Sequence, residues 1–217
     1  LYSINKKGSL NSVNVKTFKL EKEIQTLVEK NCDTLFDLEF ISSEFSVGNF
    51  RIDTLCFDRE NNSFVIIEYK KGKSYSIIDQ GYTYLSLMLN NKSDFILEYN
   101  ENHSDNLKRG EVDWSQSKIL FVSQSFSPYQ KNSVNFKDVP FELWEIKRFS
   151  DNTIVLNQHT SNSSESINLQ NKKSSKNGGI IDSVTREVKV YSEEEKIESI
   201  DSNLKELYNK IKSRIFE

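Results

Sequence analysis

Two runs of sequence decide the fold: Phe50-Arg-Ile-Asp-Thr-Leu55 and, after a turn-like segment at 58–62, Val65-Ile-Ile-Glu-Tyr-Lys-Lys-Gly72. Apolar residues fill both faces of the second run before its charges, which predicts a strand in the middle of a sheet. Side chains alternate along a strand, so Glu68 and Lys70 project to the same side near its C-terminal end. Charges at such a place are partly removed from water and are costly unless they are paired or bind a metal ion.

An acidic residue on the preceding run completes this group. If Asp53 lies on the neighbouring strand of a meander, its carboxylate and that of Glu68 converge on one divalent cation, with the Lys70 ammonium nearby. Hard oxygen ligands with open water positions suit Mg²⁺, with Mn²⁺ as a substitute. Such an ion polarises a phosphodiester and lowers the pKa of the attacking water, which Lys70 would orient.

The rest of the chain supplies the helices and strands around this pair. Helical spacing of apolar residues predicts a first helix over 18–31 and a second over 76–90. A polar loop is predicted over 100–117 and a short helix over 128–134. The strand-like runs lie at 38–45, 50–57, 64–70, 95–99, 118–123, 141–149 and 153–158. The order of helix, three-strand meander, helix and strands predicts an α/β fold with a mixed central sheet flanked by helices and with additional C-terminal strands.

Composition limits the class of protein. The 217 residues include 29 Lys+Arg and 32 Asp+Glu, a formal net charge of −3, which excludes a strongly basic DNA-coating protein. With 36% hydrophobic residues the chain can bury a core. No apolar stretch approaches the roughly 20 residues that cross a bilayer, so we expect no membrane partner and a cytoplasmic location. Cys32 and Cys56 are isolated in the sequence and are expected to be reduced core thiols.

The C-terminal part changes in character. Ser, Asn and Lys dominate the residues after 160, and we interpret 161–187 as a linker that follows a first domain over 1–160. Beyond it, apolar residues at helical spacing predict an amphipathic helix within 188–217. One such helix cannot bury its apolar stripe alone, so this segment is interpreted as the start of a second domain.

The spacing of the charged residues resembles that of a known family. Asp53, followed fifteen residues later by Glu68-Tyr-Lys70, is similar to the signature of the PD-(D/E)xK nuclease superfamily. The longer segments Arg51-Ile-Asp-Thr and Ile66-Ile-Glu-Tyr-Lys-Lys-Gly72 resemble its NucS-like endonucleases. The resemblance covers about residues 18–100. Ile52 stands where the superfamily commonly has proline, although many members of this branch lack that proline. The resemblance implies a restriction-endonuclease-like fold in which Asp53 and Glu68 bind the metal ion.

Two helical motifs extend the resemblance. Members of this branch carry an acidic residue on the first helix, and Glu21 matches it; helical phase favours Glu21 over Glu23 by a small margin. Gln80-Gly-Tyr-Thr-Tyr84 matches the Gln-x-x-x-Tyr motif of recombination-type members, and residues four apart share a helical face. The resemblance implies Glu21 as an additional metal ligand or water-positioning group, with Gln80 and Tyr84 completing the catalytic site.

Several charged residues near this site keep two interpretations. Arg51 could bind a DNA phosphate or pair with Glu44 or Glu68. Glu44 is interpreted as a strand-end charge or as an accessory site residue. Lys71 and Lys73 could contact a DNA backbone or lie in a solvated turn.

The sequence therefore predicts a Mg²⁺-dependent DNA endonuclease that hydrolyses phosphodiester bonds through a metal-activated water. Because its net charge is negative, DNA has to be met by a local basic groove. Cutting two strands with one site per chain favours a homodimer. The alternative is a catalytically silent nuclease-like module that binds nucleic acid or protein.

Overall fold

A six-stranded mixed sheet forms the centre of the molecule. The computed structural model describes residues 1–70, 77–104, 106–161, 163, 165–166 and 179–216. The sheet strands are β3 (Glu39–Val47), β4 (Phe50–Asp58), β5 (Ser63–Lys70), β6 (Lys118–Ser123), β7 (Phe141–Arg148) and β8 (Ile154–His159), and they lie side by side in that order. β3, β4 and β5 form an antiparallel meander, β5, β6 and β7 run parallel, and β8 returns antiparallel to β7. A separate hairpin of β1 (Tyr2–Ile4) and β2 (Leu10–Ser12), which we did not predict, precedes the sheet.

Helices cover both faces of the sheet. They are α1 (Glu21–Glu29), α2 (Cys32–Phe36), α3 (Ile77–Asn90), α4 (Lys92–Asn102), α5 (Pro128–Ser133), α6 (Ile180–Glu187), α7 (Glu193–Glu198) and α8 (Ser202–Phe216). The predicted α/β architecture with a mixed sheet flanked by helices is confirmed. Lys71, Lys73 and most of the predicted linker lie outside the described residues. None of the described helices combines the length and apolar character needed to cross a bilayer.

The alternation of side chains along β5 separates two apolar clusters. Phe64 and Ile66 belong to the cluster that includes the buried residues of α3 and α4. Val65, Ile67 and Tyr69 belong to the cluster that includes those of α1. Glu68 and Lys70 continue the first series, so their side chains face α3.

The predicted strand at 95–99 is wrong, because these residues form the middle of α4. Phe95 and Tyr99 are both buried and lie one helical turn apart, which is the spacing of a single helix face. A run of five residues rich in aromatic and branched side chains fits a strand as well as a helix. Only the spacing of apolar residues over a longer segment distinguishes a helix from a strand. The polar loop predicted after it contains the end of α4 and two short 3-10 turns, Arg109–Glu111 and Trp114–Gln116.

The single helix predicted within 188–217 is divided into α7 and α8. The Ser192 side chain accepts a hydrogen bond from the backbone N–H of Glu195 and begins α7. Asp201 Oδ1 accepts from the backbone N–H groups of Asn203 and Leu204, 2.9 and 3.1 Å away, and begins α8. Two capping residues therefore start two helices where one apolar periodicity predicted one.

α6 occupies the end of the segment that we interpreted as a linker. Its Val184 is fully buried in the cluster that contains the α3 residues, so residues 180–187 form a packed helix rather than a linker. The division of the chain into two domains stays a prediction.

The two cysteines are free and buried, with Cys56 Sγ 3.6 Å from Cys32 Sγ.

Gly81 allows α3 to approach β7 closely. A Cβ atom at this position would lie 2.6 Å from the Phe141 ring, which itself is buried. We expect Gly81→Ala to destabilise the fold by roughly 1–3 kcal/mol through overpacking, despite the better helix propensity of alanine. Gly110→Ala is the matched control, because no atom lies within 4 Å of its added Cβ. Urea unfolding measures both, and equal free energies of unfolding would contradict the close packing.

Candidate functional site

The meander brings Asp53 and Glu68 to the same face of the sheet. The register pairs Thr54 of β4 with Ile67 of β5, and one step further along the two antiparallel strands Asp53 stands opposite Glu68. Residues directly opposite each other project to the same side, with Cβ atoms roughly 4.5–5.5 Å apart. The two carboxyl groups are therefore close enough for the Asp53 charge to act on Glu68.

Glu68 is buried and its two oxygens differ in their surroundings. Oε1 accepts hydrogen bonds from Lys70 Nζ at 3.2 Å and from Gln80 Nε2 at 2.7 Å. Oε2 is also buried but has no hydrogen-bond partner among the described residues. A buried carboxylate oxygen without a partner is costly, and a bound cation would offset that cost.

Asp53 is held by the backbone of the neighbouring strand. Its Oδ2 accepts a hydrogen bond from the Tyr69 backbone N–H at 3.1 Å. This bond leaves Oδ1 available on the carboxylate and fixes its direction relative to Glu68.

Burial and nearby negative charges favour the protonated forms of both carboxyl groups. Burial raises the pKa of Glu68 to about 7, the Asp53 charge raises it as well, and the Lys70 ammonium opposes both. Burial also raises the pKa of Asp53, with further contributions from the charges of Glu44 and Glu21. Two carboxylates that repel each other in a partly buried site can be stabilised by a bound cation.

The Gln-x-x-x-Tyr motif of α3 lies beside Glu68. Besides its bond to Glu68, Gln80 Nε2 lies 3.2 Å from the Tyr84 hydroxyl, which donates to the Arg51 carbonyl at 3.2 Å. Burial, followed by the Glu68 charge, raises the pKa of Tyr84, so its hydroxyl keeps its proton. The motif thus links α3 to both strands that carry the carboxylates.

Glu21 lies nearby without joining the carboxylate pair. It is the first residue of α1 and is exposed, and its charge acts on Asp53. Among the described residues, no group of three or more His, Cys, Asp or Glu side chains is placed to hold a metal ion. The structure therefore brings two of the three predicted metal ligands together and leaves Glu21 beside them.

Arg51 forms an ion pair with Glu44, which is the intramolecular one of the two interpretations of this residue. Its guanidinium Nη1 lies 3.0 Å from Glu44 Oε2, and the other Glu44 oxygen lies 3.0 Å from Lys22 Nζ. Hydrogen bonding to Lys22 lowers the pKa of Glu44, although burial opposes it. Arg51 and Lys22 are exposed, so this pairing leaves both cations accessible from solvent beside Asp53.

Sequence reasoning missed Gln25, a buried polar residue of α1. Its Nε2 donates to the Asp53 carbonyl at 3.0 Å. The available signal was its position one helical turn after Glu21, which places both side chains on one face.

The donor set fits a hard divalent cation. Two carboxylates, one with a buried and unpartnered oxygen, face each other across neighbouring strands. Mg²⁺ is commonly bound through one or two carboxylates while water and phosphate oxygens fill the other positions. Asp53 and Glu68 would hold the ion, and the site would leave room for a substrate oxygen.

Sequence comparison identifies one relative over nearly the whole chain. No family model matches the sequence. A Haemophilus influenzae protein, described as an uncharacterized protein, is 46% identical over 211 residues, which cover 97% of this chain and 69% of the relative.

Comparison of folds identifies more distant similarities. A repair endonuclease from Pyrococcus abyssi is 17% identical, with a TM-score of 0.32 over 55% of this chain and 44% of the other. The EndoMS–dsDNA2 complex gives 15% identity and a TM-score of 0.40 over 63% of this chain and 50% of the other. SfsA of Pyrococcus furiosus in complex with Ca²⁺ gives 16% identity and a TM-score of 0.32, over 63% of this chain and 60% of the other. The chain spans about half the length of these structures, and at such low identities function has to be inferred from the residues of the site.

Proposed function

We propose that this chain is a nuclease that hydrolyses phosphodiester bonds in DNA with the help of Mg²⁺. The chain belongs to the same family as the Haemophilus influenzae protein. The observation that carries the proposal is the buried Oε2 of Glu68, which lacks a partner among the described residues while Asp53 stands opposite on β4. A neutral structural role gives no reason to keep two carboxylates close together in a partly buried place.

The residues of the site divide the chemistry between them. A divalent cation held by Asp53 and Glu68 would supply Lewis-acid activation of the phosphodiester and of the attacking water. Lys70, fixed by its 3.2 Å contact with Glu68, would orient that water and stabilise the negative charge that develops on the phosphoryl oxygens. Gln80 and Tyr84 hold Glu68 and the β4 backbone in place. β4 and β5 keep these groups rigid, as an in-line attack requires.

The choice of DNA as substrate rests on the resemblance to NucS-like endonucleases. Arg51, with Lys71 and Lys73, is proposed to contact phosphates beside the carboxylates. Arg51 is exposed and its ion pair with Glu44 lies at the surface. A phosphate can therefore replace Glu44 as the partner of Arg51. Glu21 is proposed as a water-positioning group, and the homodimer stays a prediction.

A cleavage screen tests the proposed function directly. Purified protein is incubated with supercoiled plasmid, branched DNA, single-stranded DNA and structured RNA, with Mg²⁺, with Mn²⁺ and with a chelator. Metal-dependent cleavage of DNA supports the proposal. Cleavage of RNA alone would overturn the choice of substrate, and binding without cleavage would favour the silent module.

Crystals soaked in Mn²⁺ should give an anomalous peak within coordinating distance of Asp53 and Glu68. We expect the same soak of Asp53→Ala crystals to give no peak, because a single carboxylate binds the ion weakly. Wild-type density with Glu68 bonded only to Lys70 and Gln80 would contradict the metal site and favour the interaction module.

A further inference from the structure

Gln25 forms a buried polar contact between three elements. The residue is 5% exposed, in a helix whose neighbouring apolar residues pack on the sheet face opposite to Glu68. Its Nε2 donates toward Glu29 Oε1 at 2.8 Å, Ser43 Oγ at 3.2 Å and the Asp53 carbonyl at 3.0 Å. Burying an amide costs free energy unless such bonds are made, so its orientation is strongly determined.

β3 is irregular beside Asp53. The register pairs Ser43 with Thr54 and Phe45 with Ile52, and Glu44 between them has a φ of +58°. This left-handed conformation is uncommon for a residue with a side chain and costs free energy, and such strain is typical of functional sites. The Asp53 carbonyl lies opposite this irregular residue, and the Gln25 side chain supplies a donor to it.

We propose that Gln25 is a positioning residue that fixes the Asp53 carboxylate for metal binding, an inference that rests on the proposed nuclease function. Asp53 is held at two points, its Oδ2 by the Tyr69 backbone N–H and its carbonyl by Gln25. With the second point removed, the Asp53 carbonyl on β4 loses its side-chain donor beside the irregular residue of β3, so the backbone at Asp53 is held less firmly. The carboxylate then no longer points steadily toward Glu68.

The same contact joins α1 to β4, in addition to the apolar packing of Ile24 and Val28. Glu21 lies four residues before Gln25 and so on the same helix face. The bond from Gln25 to the Asp53 carbonyl therefore places the helix that carries Glu21 against the strand that carries Asp53. The Gln25 amide thus links the two elements that carry these acidic groups.

Gln25→Met tests the inference, with Thr54→Val as the matched control. Methionine keeps the length of glutamine but has no donor for the Asp53 carbonyl. Thr54 belongs to the same buried network, donating to Glu29 Oε1 at 2.8 Å and lying 3.1 Å from the Tyr69 hydroxyl, yet among the described residues the hydrogen bonds of its side chain do not involve Asp53. Valine removes those bonds without changing the shape.

We expect Gln25→Met to weaken Mn²⁺ binding, measured by calorimetry, by roughly tenfold to a hundredfold, the usual effect of losing a residue that orients a metal ligand. The kcat for DNA cleavage should fall by a similar factor with little change in KM, whereas Thr54→Val changes neither. Gln25→Asn, whose amide is one methylene short of the carbonyl, should behave as Gln25→Met does and serves if the methionine variant does not fold. Equal effects in the Gln25 and Thr54 variants would overturn the inference, because both then act only through stability.

Hydrogen exchange separates this inference from the proposed function. The Tyr69 amide donates to Asp53 Oδ2, so its exchange in the metal-free protein reports the position of that carboxylate. We expect exchange roughly tenfold faster in Gln25→Met than in Thr54→Val, because the local contact opens more often. If wild type neither binds Mn²⁺ nor cleaves DNA, the nuclease function fails. An unchanged Tyr69 exchange rate would overturn the positioning role even if cleavage occurs.

Discussion

Lys70→Ala is expected to reduce DNA cleavage by roughly a thousandfold, the usual scale for removing a group that orients the nucleophile or stabilises transition-state charge. The Lys70 side chain is 15% exposed and its ammonium lies 3.2 Å from Glu68 Oε1, so no solvent cation takes its place with the same geometry. Asp53→Asn should cause a comparable loss by weakening the metal site. Gel-based cleavage of plasmid and branched DNA with Mg²⁺ measures both rates.

Lys118→Ala is the matched control for the lysine. Lys118 lies on β6, forms a 2.9 Å ion pair with Glu142, and stands opposite Val65, at the other end of β5 from Lys70. It therefore has the same chemistry and a similar pairing without any place in the site. Circular dichroism and thermal unfolding confirm that the variants fold. Wild-type rates in Lys70→Ala would remove Lys70 from the mechanism, even if a chelator abolishes cleavage by the wild type.

The core of the site could be predicted because its geometry is local. Glu68 and Lys70 are two residues apart on a strand, and Gln80 and Tyr84 are four apart on a helix, so regular periodicity alone places each pair on one face. Asp53 follows from a short hairpin connection between two adjacent strands. These relations depend on few residues, and the structure reproduces them.

The parts that could not be predicted depend on tertiary contacts or on single backbone angles. The contact between Gln25 and the Asp53 carbonyl joins residues 28 apart, and the position of Gln25 one helical turn after Glu21 does not reveal which group it contacts. The left-handed φ of Glu44 arises in a residue whose type rarely adopts it. The strand predicted at 95–99 failed for a related reason, because a short aromatic run has no period of its own.

Glu68→Gln is expected to remove a pH dependence of stability from the metal-free protein. The pKa of Glu68 is about 7 in the folded state, against a reference value of 4.5, so the folded state binds more protons than the unfolded state between these values. Its contribution to stability is thus fully present below pH 4.5 and is lost as the pH rises through 7. The loss reaches about 3 kcal/mol, at 1.36 kcal/mol for each pKa unit. Glutamine has nearly the shape of the protonated carboxyl and does not ionise.

Urea unfolding at pH 5 and pH 8 with a chelator measures this difference. Other titrating groups cancel when the variant is compared with the wild type at each pH. We expect the two proteins to differ little at pH 5 and the variant to be more stable at pH 8, by about 2–3 kcal/mol. Glu44→Gln is the control: the pKa of Glu44 is lowered rather than raised, so its removal gives no gain at pH 8.

Mg²⁺ or Mn²⁺ should then reverse the order of the two proteins at pH 8. A cation that binds only the folded state stabilises it by about 4.1 kcal/mol at a thousand times its Kd, which exceeds the wild-type deficit at pH 8. The wild type therefore gains this stability while Glu68→Gln, which lacks one of two carboxylates, gains little. Equal stabilisation of both proteins by the metal would show that the ion binds elsewhere. A wild-type stability with the same pH dependence as the variant would show that Glu68 is not the group whose proton is lost, and the electrostatic strain that we attribute to the metal site would then be absent.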